Sequence, residues 1–162
     1  MKGSTHWADI NAAKVVREKG EKDTYVCASG ITPSGTVHVG NFREVISVDL
    51  VVRALRDMGK DVRFIYSWDD YDVFRKVPSN IAKRDEFTQF LRWPITKVPD
   101  PDGMSSSYAR ANEEELESQL HRVGIDPAYI YQANQYQKAT YAHGIRTALE
   151  HRNEIRGILN QY

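Results

Sequence analysis

The alternation of apolar and polar positions marks out most of the chain's elements before any chemistry is considered. Residues 7–19 (WADINAAKVVREK) carry apolar side chains at helical spacing and run into Gly20, a helix-ending signal. A short β-rich apolar run, TYVCASG (24–30), follows and reads as a buried strand. After the loop TPSG (32–35), a long helix is expected from about His38 to Met58, stopping at Gly59. DVRFIYSW (61–68) is the second strand. Strand, loop, long helix and strand, joined by short connections, make a βαβ crossover, so the two strands run parallel.

Beyond the second strand the pattern changes. WDDYDVFRKVPSN leaves it as a charged loop, residues 80–91 fit a short helix, and RWPITKVPDPDG, with three of the six prolines, is irregular. SYARANEEELESQLHRVG is a strongly amphipathic helix, whose EEELE run (113–117) is expected to be a solvated face with its early glutamates suiting the helix dipole. PAYIYQA suggests a third strand, and two helices, about 136–150 and 152–161, complete the chain. The expected class is α/β, a three-layer parallel sheet. Residues 1–78 would form its first half with an N-terminal helix, and residues 79–162 would begin a mainly helical insertion.

The helix after TPSG has an uneven surface. Arg43, Ser47, Val51, Ala54 and Met58 form a stripe that is polar at its start and apolar later. Asp49, Arg53, Arg56 and Lys60 form a second stripe, expected to be polar only in the later turns. Such a helix points its N-terminus into a polar site.

Composition narrows the classes. With 162 residues the chain can bury one substantial core, and 22 Lys and Arg against 22 Asp and Glu exclude a global positive field for nucleic acid while leaving a local patch open. The lone Cys27 forms no internal disulfide and is expected to be inert within its strand. The start, MKGSTHWAD, has no apolar leader core and no apolar run reaches membrane-span length, which together with the cysteine count points to the cytoplasm. His6, His121, His143 and His151 lack metal-ligand spacing, so no resident metal is expected.

The chemistry concentrates in SGITPSGTVHVGN (29–41). A bound phosphate needs backbone N–H donors, the positive end of a helix and a close approach to the chain. Gly35 and Gly40 bracket the helix start, Pro33 can fix the turn, and His38 and Asn41 lie three residues apart on one face of the first turn, where both can donate to phosphate oxygens. The stretch lies outside the carboxyl end of the first strand, where α/β sheets bind ligands. A proline–glycine turn with a helix-capping histidine is the competing reading of the same residues.

PSGTVHVGN resembles the HIGH-type signature of class I aminoacyl-tRNA synthetases, with Asn41 in place of the last histidine. HWAD (6–9), SGITPSGTVHVGNFRE (29–44) and WDDYDVFRKVP (68–78) together resemble the class I lysyl-tRNA synthetases, and PDPDG followed by SYA sits where that family has a similar stretch. The resemblance implies a Rossmann-like nucleotide-binding sheet and a two-step reaction. Lysine carboxylate attacks the α-phosphate of ATP with Mg²⁺ present, and the lysyl group then passes to the terminal adenosine of tRNA(Lys). It also implies roles: His38 and Asn41 stabilise developing charge, Gly40 leaves room for adenine, and Gly30 and Thr32 line the lysine pocket. Pro33 and Gly35 belong to the ATP loop.

Asp69, Asp70 and Asp72 follow the second strand directly, and a lysine substrate brings two ammonium groups. Asp69 and Asp72 are the candidate partners; capping, or pairing with Arg75 and Lys76, is the alternative. Trp68 and Tyr71 read as packing residues, as do Tyr129, Tyr131, Tyr136 and Tyr141, which could otherwise stack on tRNA.

The family's second signature, of KMSKS type, has no counterpart here. Met104–Ser107 lacks lysine and falls where the amphipathic helix should be capped. The isolated chain is therefore expected not to activate lysine at a useful rate. Two other readings stay open: a small HxGH nucleotidyltransferase of the pantetheine-phosphate adenylyltransferase kind, whose downstream serine–arginine element Ser105–Arg110 mimics, and a non-catalytic synthetase-like module. Tryptophanyl- and tyrosyl-type synthetases also carry asparagine in the motif, but WDDYDVFRKVP favours lysyl.

Overall fold

The structure, a computed structural model, describes residues 4–162; the first three residues of MKGSTHWAD lie outside them. Helix α1 (Trp7–Lys19) leads into β1 (Tyr25–Ile31), and α2 (Val39–Asp57) crosses to β2 (Val62–Trp68). The insertion then supplies α3 (Arg84–Phe87) with a 3-10 turn at Thr88–Phe90, a second 3-10 turn at Ile95–Lys97, and α4 (Tyr108–Arg122). Strand β3 (Ala128–Tyr131) and helices α5 (Gln132–Gln137), α6 (Ala142–Glu150) and α7 (Arg152–Leu159) complete it.

The three strands are parallel in the order β1-β2-β3, with Tyr25 beside Val62, Ile31 beside Trp68, and Trp68 beside Tyr131. The expected α/β class and the β1–α2–β2 crossover are present. One packed face carries Val62, Phe64, Tyr66 and Trp68, all buried, against Val45, Val52 and Leu55 of α2 and Leu116 and Leu120 of α4. On the opposite face Val26 and Arg63 are exposed. The second helical layer of a three-layer sandwich is therefore not among the described residues. Right-handed crossovers that step in one direction, from β1 to β2 to β3, put both connections on the same face. A layer on the other face requires the strand order to reverse.

A second apolar cluster gathers Phe74, Ile81, Phe87, Ile95, Val98, Tyr108 and Ala109. The boundary expected after Pro78 does not separate these cores. Phe74 belongs to the insertion's cluster, while Leu116, Leu120 and Ile125 return to the main one. The reason is topological, because α4 is the crossover helix that delivers β3 to the sheet.

Three local expectations are corrected. The helix expected over 136–150 is two helices, since Ala139 adopts a left-handed φ of 55° just past α5. The helix expected over 80–91 shortens to α3 and a 3-10 turn. The EEELE run is only in part a solvated face: Glu114 and Glu115 are exposed, but Glu113 is buried and Glu117 half-buried. Arg110 explains this. Its guanidinium bonds Glu113 (3.1 Å), Glu114 (2.9 Å) and Glu117 (3.0 Å), while Tyr131 and the Trp68 indole also donate to Glu117. In the second stripe of α2, Asp49 is likewise buried, held by Arg53 at 2.6 Å. Among the described residues, no helix is long and apolar enough to cross a membrane.

Candidate functional site

The carboxyl ends of all three strands open on one edge of the sheet. The loop after β1 is fixed from α4: the Tyr108 hydroxyl donates to the Ser34 carbonyl (3.1 Å) and Asn112 Nδ2 to that of Pro33 (3.4 Å). Pro33 itself is fully buried, so its ring anchors the turn and presents no surface to a nucleotide. At Gly35 an added Cβ would meet only the Tyr108 hydroxyl, at 4.0 Å, which leaves that backbone open to approach.

His38 is the N-cap of α2. Its Nδ1 accepts from the Gly40 amide (3.0 Å), and Asn41 Oδ1 accepts in return from the His38 amide (3.1 Å), which makes a capping box. With Nδ1 accepting, the proton of the neutral ring sits on Nε2. The cap thus uses the inward atoms of both side chains and leaves His38 Nε2–H and the Asn41 amide N–H₂ as outward donors. The cap and phosphate-donor readings of these residues are compatible. Gly40 is needed by the cap, since a Cβ there would stand 2.8 Å from His38 Cε1. His38→Ala is expected to cost about 1 kcal/mol in urea unfolding; an unchanged midpoint would show that the cap contributes nothing.

Thr32, Asp69 and Asp72 line a single cleft of about 460 Å³ with Tyr71, Gln132, Tyr136 and Tyr141. Tyr71 and Tyr136 stack at 4.5 Å, and Tyr141 meets Tyr136 edge-on at 5.2 Å. A chain of hydrogen bonds runs toward Asp69. Tyr141 donates to Gln132 Oε1 (2.7 Å), Gln132 Nε2 to Ser67 Oγ (2.7 Å), and Ser67 to Asp69 Oδ1 (3.3 Å). Asp72 is occupied by Arg75, at 2.8 and 3.0 Å, and by the Val73 amide. Asp70 is buried and accepts from the Ala133 amide (2.8 Å), so it caps the helix that brings Gln132 into the cleft. Burial raises its carboxyl above the ordinary aspartate value, with the backbone donors opposing. Gly30 is not among the residues that line this cleft. Its missing Cβ lets β2 approach, because one built there would lie 2.4 Å from the Ser67 carbonyl oxygen.

His38 does not line this cleft. It borders a separate hollow of about 310 Å³, beside Val39, Phe42, Leu116 and Gln119. Such an arrangement offers an acidic, aromatic-walled recess for a cation and, apart from it, a helix start with outward donors for an anion. The sequence reading does not single out Gln132, and it takes Tyr71, Tyr136 and Tyr141 as packing residues, with stacking on tRNA the alternative for the last two; all four line the cleft. One signal was available: a third parallel strand must end on the same edge, so the residues after it face the same site. The Ser105–Arg110 element that mimics a nucleotidyltransferase is a helix start, with Ser107 Oγ accepting from the Arg110 amide at 3.1 Å.

A lysine–tRNA ligase of Treponema pallidum (strain Nichols) is 60% identical over 98% of this chain and 30% of its own length. Those of Pyrococcus horikoshii and Methanocaldococcus jannaschii are 48% and 36% identical over 97% of the chain, and 30% and 29% of their own lengths. The chain thus spans about three-tenths of the length of the relatives it matches. Residues 5–162 match the family described as tRNA synthetases class I (K), and it is to this family that the chain belongs.

Proposed function

We propose that the chain carries the first half-site of an ATP-dependent lysine–tRNA ligase, acting in the cytoplasm on L-lysine, ATP with Mg²⁺, and tRNA(Lys). The observation that carries this reading is the recess at the sheet's carboxyl edge, where Asp69 receives a directed hydrogen-bond chain and three tyrosines form the wall. A carboxylate with aromatic faces is a natural seat for an ammonium group. Asp69 takes one lysine ammonium, with Thr32 and the Gly30 backbone beside it. Asp72 contributes once Arg75 moves off it.

In the first step a lysine carboxylate oxygen forms a bond to the α-phosphorus of ATP as the bond to pyrophosphate breaks. His38 Nε2–H and Asn41 N–H₂ donate to the phosphate oxygens as charge builds, and the open backbone near Gly35 lets the triphosphate approach. Adenine packs at the helix start near Gly40, where Val39 and Phe42 offer apolar surface. In the second step a hydroxyl of the terminal adenosine attacks the lysyl carbonyl, and AMP leaves.

Calorimetry with this chain tests the reading. Lysine should bind, norleucine, which lacks the ε-ammonium, should bind at least tenfold more weakly, and Asp69→Asn should weaken lysine about tenfold, the scale of one charge-assisted hydrogen bond. Equal binding of lysine and norleucine, or no binding of lysine, would sink it.

A further inference from the structure

Helix α4 gathers charge on one stretch of its surface. Arg110, Glu113, Glu114 and Glu117 stand three, four and seven residues apart, and the one guanidinium bonds all three carboxylates. Asp70, just past β2, adds a fourth acid whose charge is felt at Glu113. Four carboxylates thus stand near one guanidinium. Glu113 is the least well served of them. It is 2% exposed, only its Oε2 meets Arg110, and its Oε1 has no hydrogen-bond partner within the protein. Buried acceptors in native folds are almost always paired, so this one calls for a cause.

Glu113 and Asp70 both line a cavity of about 530 Å³ that α5 separates from the acidic cleft. The helix serves both spaces: Gln132 and Tyr136 border the cleft, while Ala133, Asn134 and Gln137 border the cavity. Asp70 is bonded there by backbone amides alone. The Asn134 and Gln137 side chains are exposed at the rim. Lys97, the other cation at the border, is also exposed and pairs with neither acid among the described residues.

We propose that this cavity is a second binding site, separate from the acidic cleft, for the primary ammonium group of a small amine seated on the Glu113 carboxylate. An ammonium presents three donors in a tetrahedral fan, which suits acceptors brought from separate elements: Glu113 on α4, Asp70 after β2 and the side-chain amides of α5. A planar guanidinium takes both oxygens of a carboxylate, and Arg110 already holds one of Glu113's. A divalent metal needs a denser donor set, and among the described residues no three His, Cys, Asp or Glu side chains are grouped to hold one. A water molecule would satisfy Oε1 but would leave the carboxylates short of positive charge. The charged and titratable groups around Glu113 are Arg110, Glu114 and Glu117 of α4, Asp70, Tyr131 of β3 and Lys97. Burial, with Asp70 adding to it and Arg110 opposing, pushes the Glu113 carboxyl up to about 7. Near neutral pH the amine cation therefore displaces a proton: the Glu113 O–H bond breaks, the proton passes to the buffer, and no other covalent bond changes.

The test is an NMR titration of this chain with methylammonium chloride at constant ionic strength. At pH 8 the Ala133 and Asn134 backbone amides should shift along a saturating curve. At pH 6 the affinity should be about tenfold weaker, the drop in ionised fraction of a carboxyl that titrates at about 7. Glu113→Gln keeps the side chain's shape and should lose about tenfold or more at pH 8, together with the pH dependence. Two controls should bind within about twofold of the unaltered chain at pH 8: Glu115→Gln, exposed on the same helix, and Asp69→Asn, in the acidic cleft. Tetramethylammonium, a cation of the same charge without N–H donors, should give no saturating shift. No saturation with methylammonium at pH 8, equal affinity at pH 6 and pH 8, equal binding of tetramethylammonium, or equal binding by Glu113→Gln would each overturn the site. Asp69→Asn losing as much as Glu113→Gln would place the amine in the acidic cleft, and Glu115→Gln doing so would reduce the effect to the general charge of α4; either result also overturns it.

Discussion

Replacing Gly30 by alanine is expected to lower stability by about 3 kcal/mol and the melting temperature by roughly 10 °C. The new methyl group would meet the Ser67 backbone carbonyl at 2.4 Å and Ser67 Cβ at 3.0 Å, and a backbone atom in a paired strand cannot swing aside. Relief requires β1 and β2 to separate where they are joined side by side. The damage should extend beyond stability, since Ser67 is the middle of the hydrogen-bond chain to Asp69. Lysine binding should therefore weaken together with thermal stability. Gly144 is the internal control: it lies in α6 with nothing within 4 Å of its Cβ position, so alanine there should be neutral or slightly stabilising. Equal melting temperatures for Gly30→Ala and Gly144→Ala would refute the close approach of the strands.

Glu113 should impose a pH dependence that a glutamine removes. Burial, reinforced by the nearby Asp70 and opposed by the Arg110 hydrogen bond, pushes its carboxyl from 4.5 up to about 7, and its Oε1 has no hydrogen-bond partner. With a folded value above the unfolded one, the group costs nothing below about pH 4.5, where both states hold the proton. Between about 4.5 and 7 the unfolded chain ionises first, and the folded state loses ~3 kcal/mol relative to it, a loss complete above pH 7. Chemical unfolding at pH 5 and pH 8 should therefore show Glu113→Gln gaining on the unaltered protein at the higher pH. Arg110 keeps Glu114 and Glu117 as partners, so the variant should still fold. A stability difference that does not change with pH would show that Glu113 ionises as readily in the fold as outside it.

What could be read from the chain divides along physical lines. The β1–α2–β2 unit was legible because its signals are local: period, glycine stops and the short connections that force a parallel crossover. The break at Ala139 was not, because a residue with good helix propensity is held in a left-handed turn, with Tyr141 tied to Gln132 across it. Glu113 misled for a related reason, as a charged run on a helix looks solvated until Arg110 and the apolar interior it packs against are known. At the site, position did much of the work. Thr32, Asp69 and Asp72 follow directly on strand ends and converge in one cleft, whereas Pro33 turned out to be a buried anchor. Asp70 shows the limit of reading a cluster by composition: of three neighbouring aspartates past the end of β2, one is buried and caps α5, and of the two that line the cleft one is paired with Arg75.

The single stepping direction of β1, β2 and β3 also bears on how the molecule assembles during synthesis. Strands β1 and β2 are joined by one helix and can pair as soon as Trp68 has emerged, while β3 must wait for the whole connection from Trp68 to Ala128. Thr32 and Asp69 are therefore in place well before Gln132, Tyr136 and Tyr141 arrive to close the recess around them. Among these three strands, the recess is completed only when β3 and the residues after it arrive. Until then the β2 edge, which displays the Trp68 end of the strand, is unpaired, and it is the point where a nascent chain would be most prone to join the wrong strand.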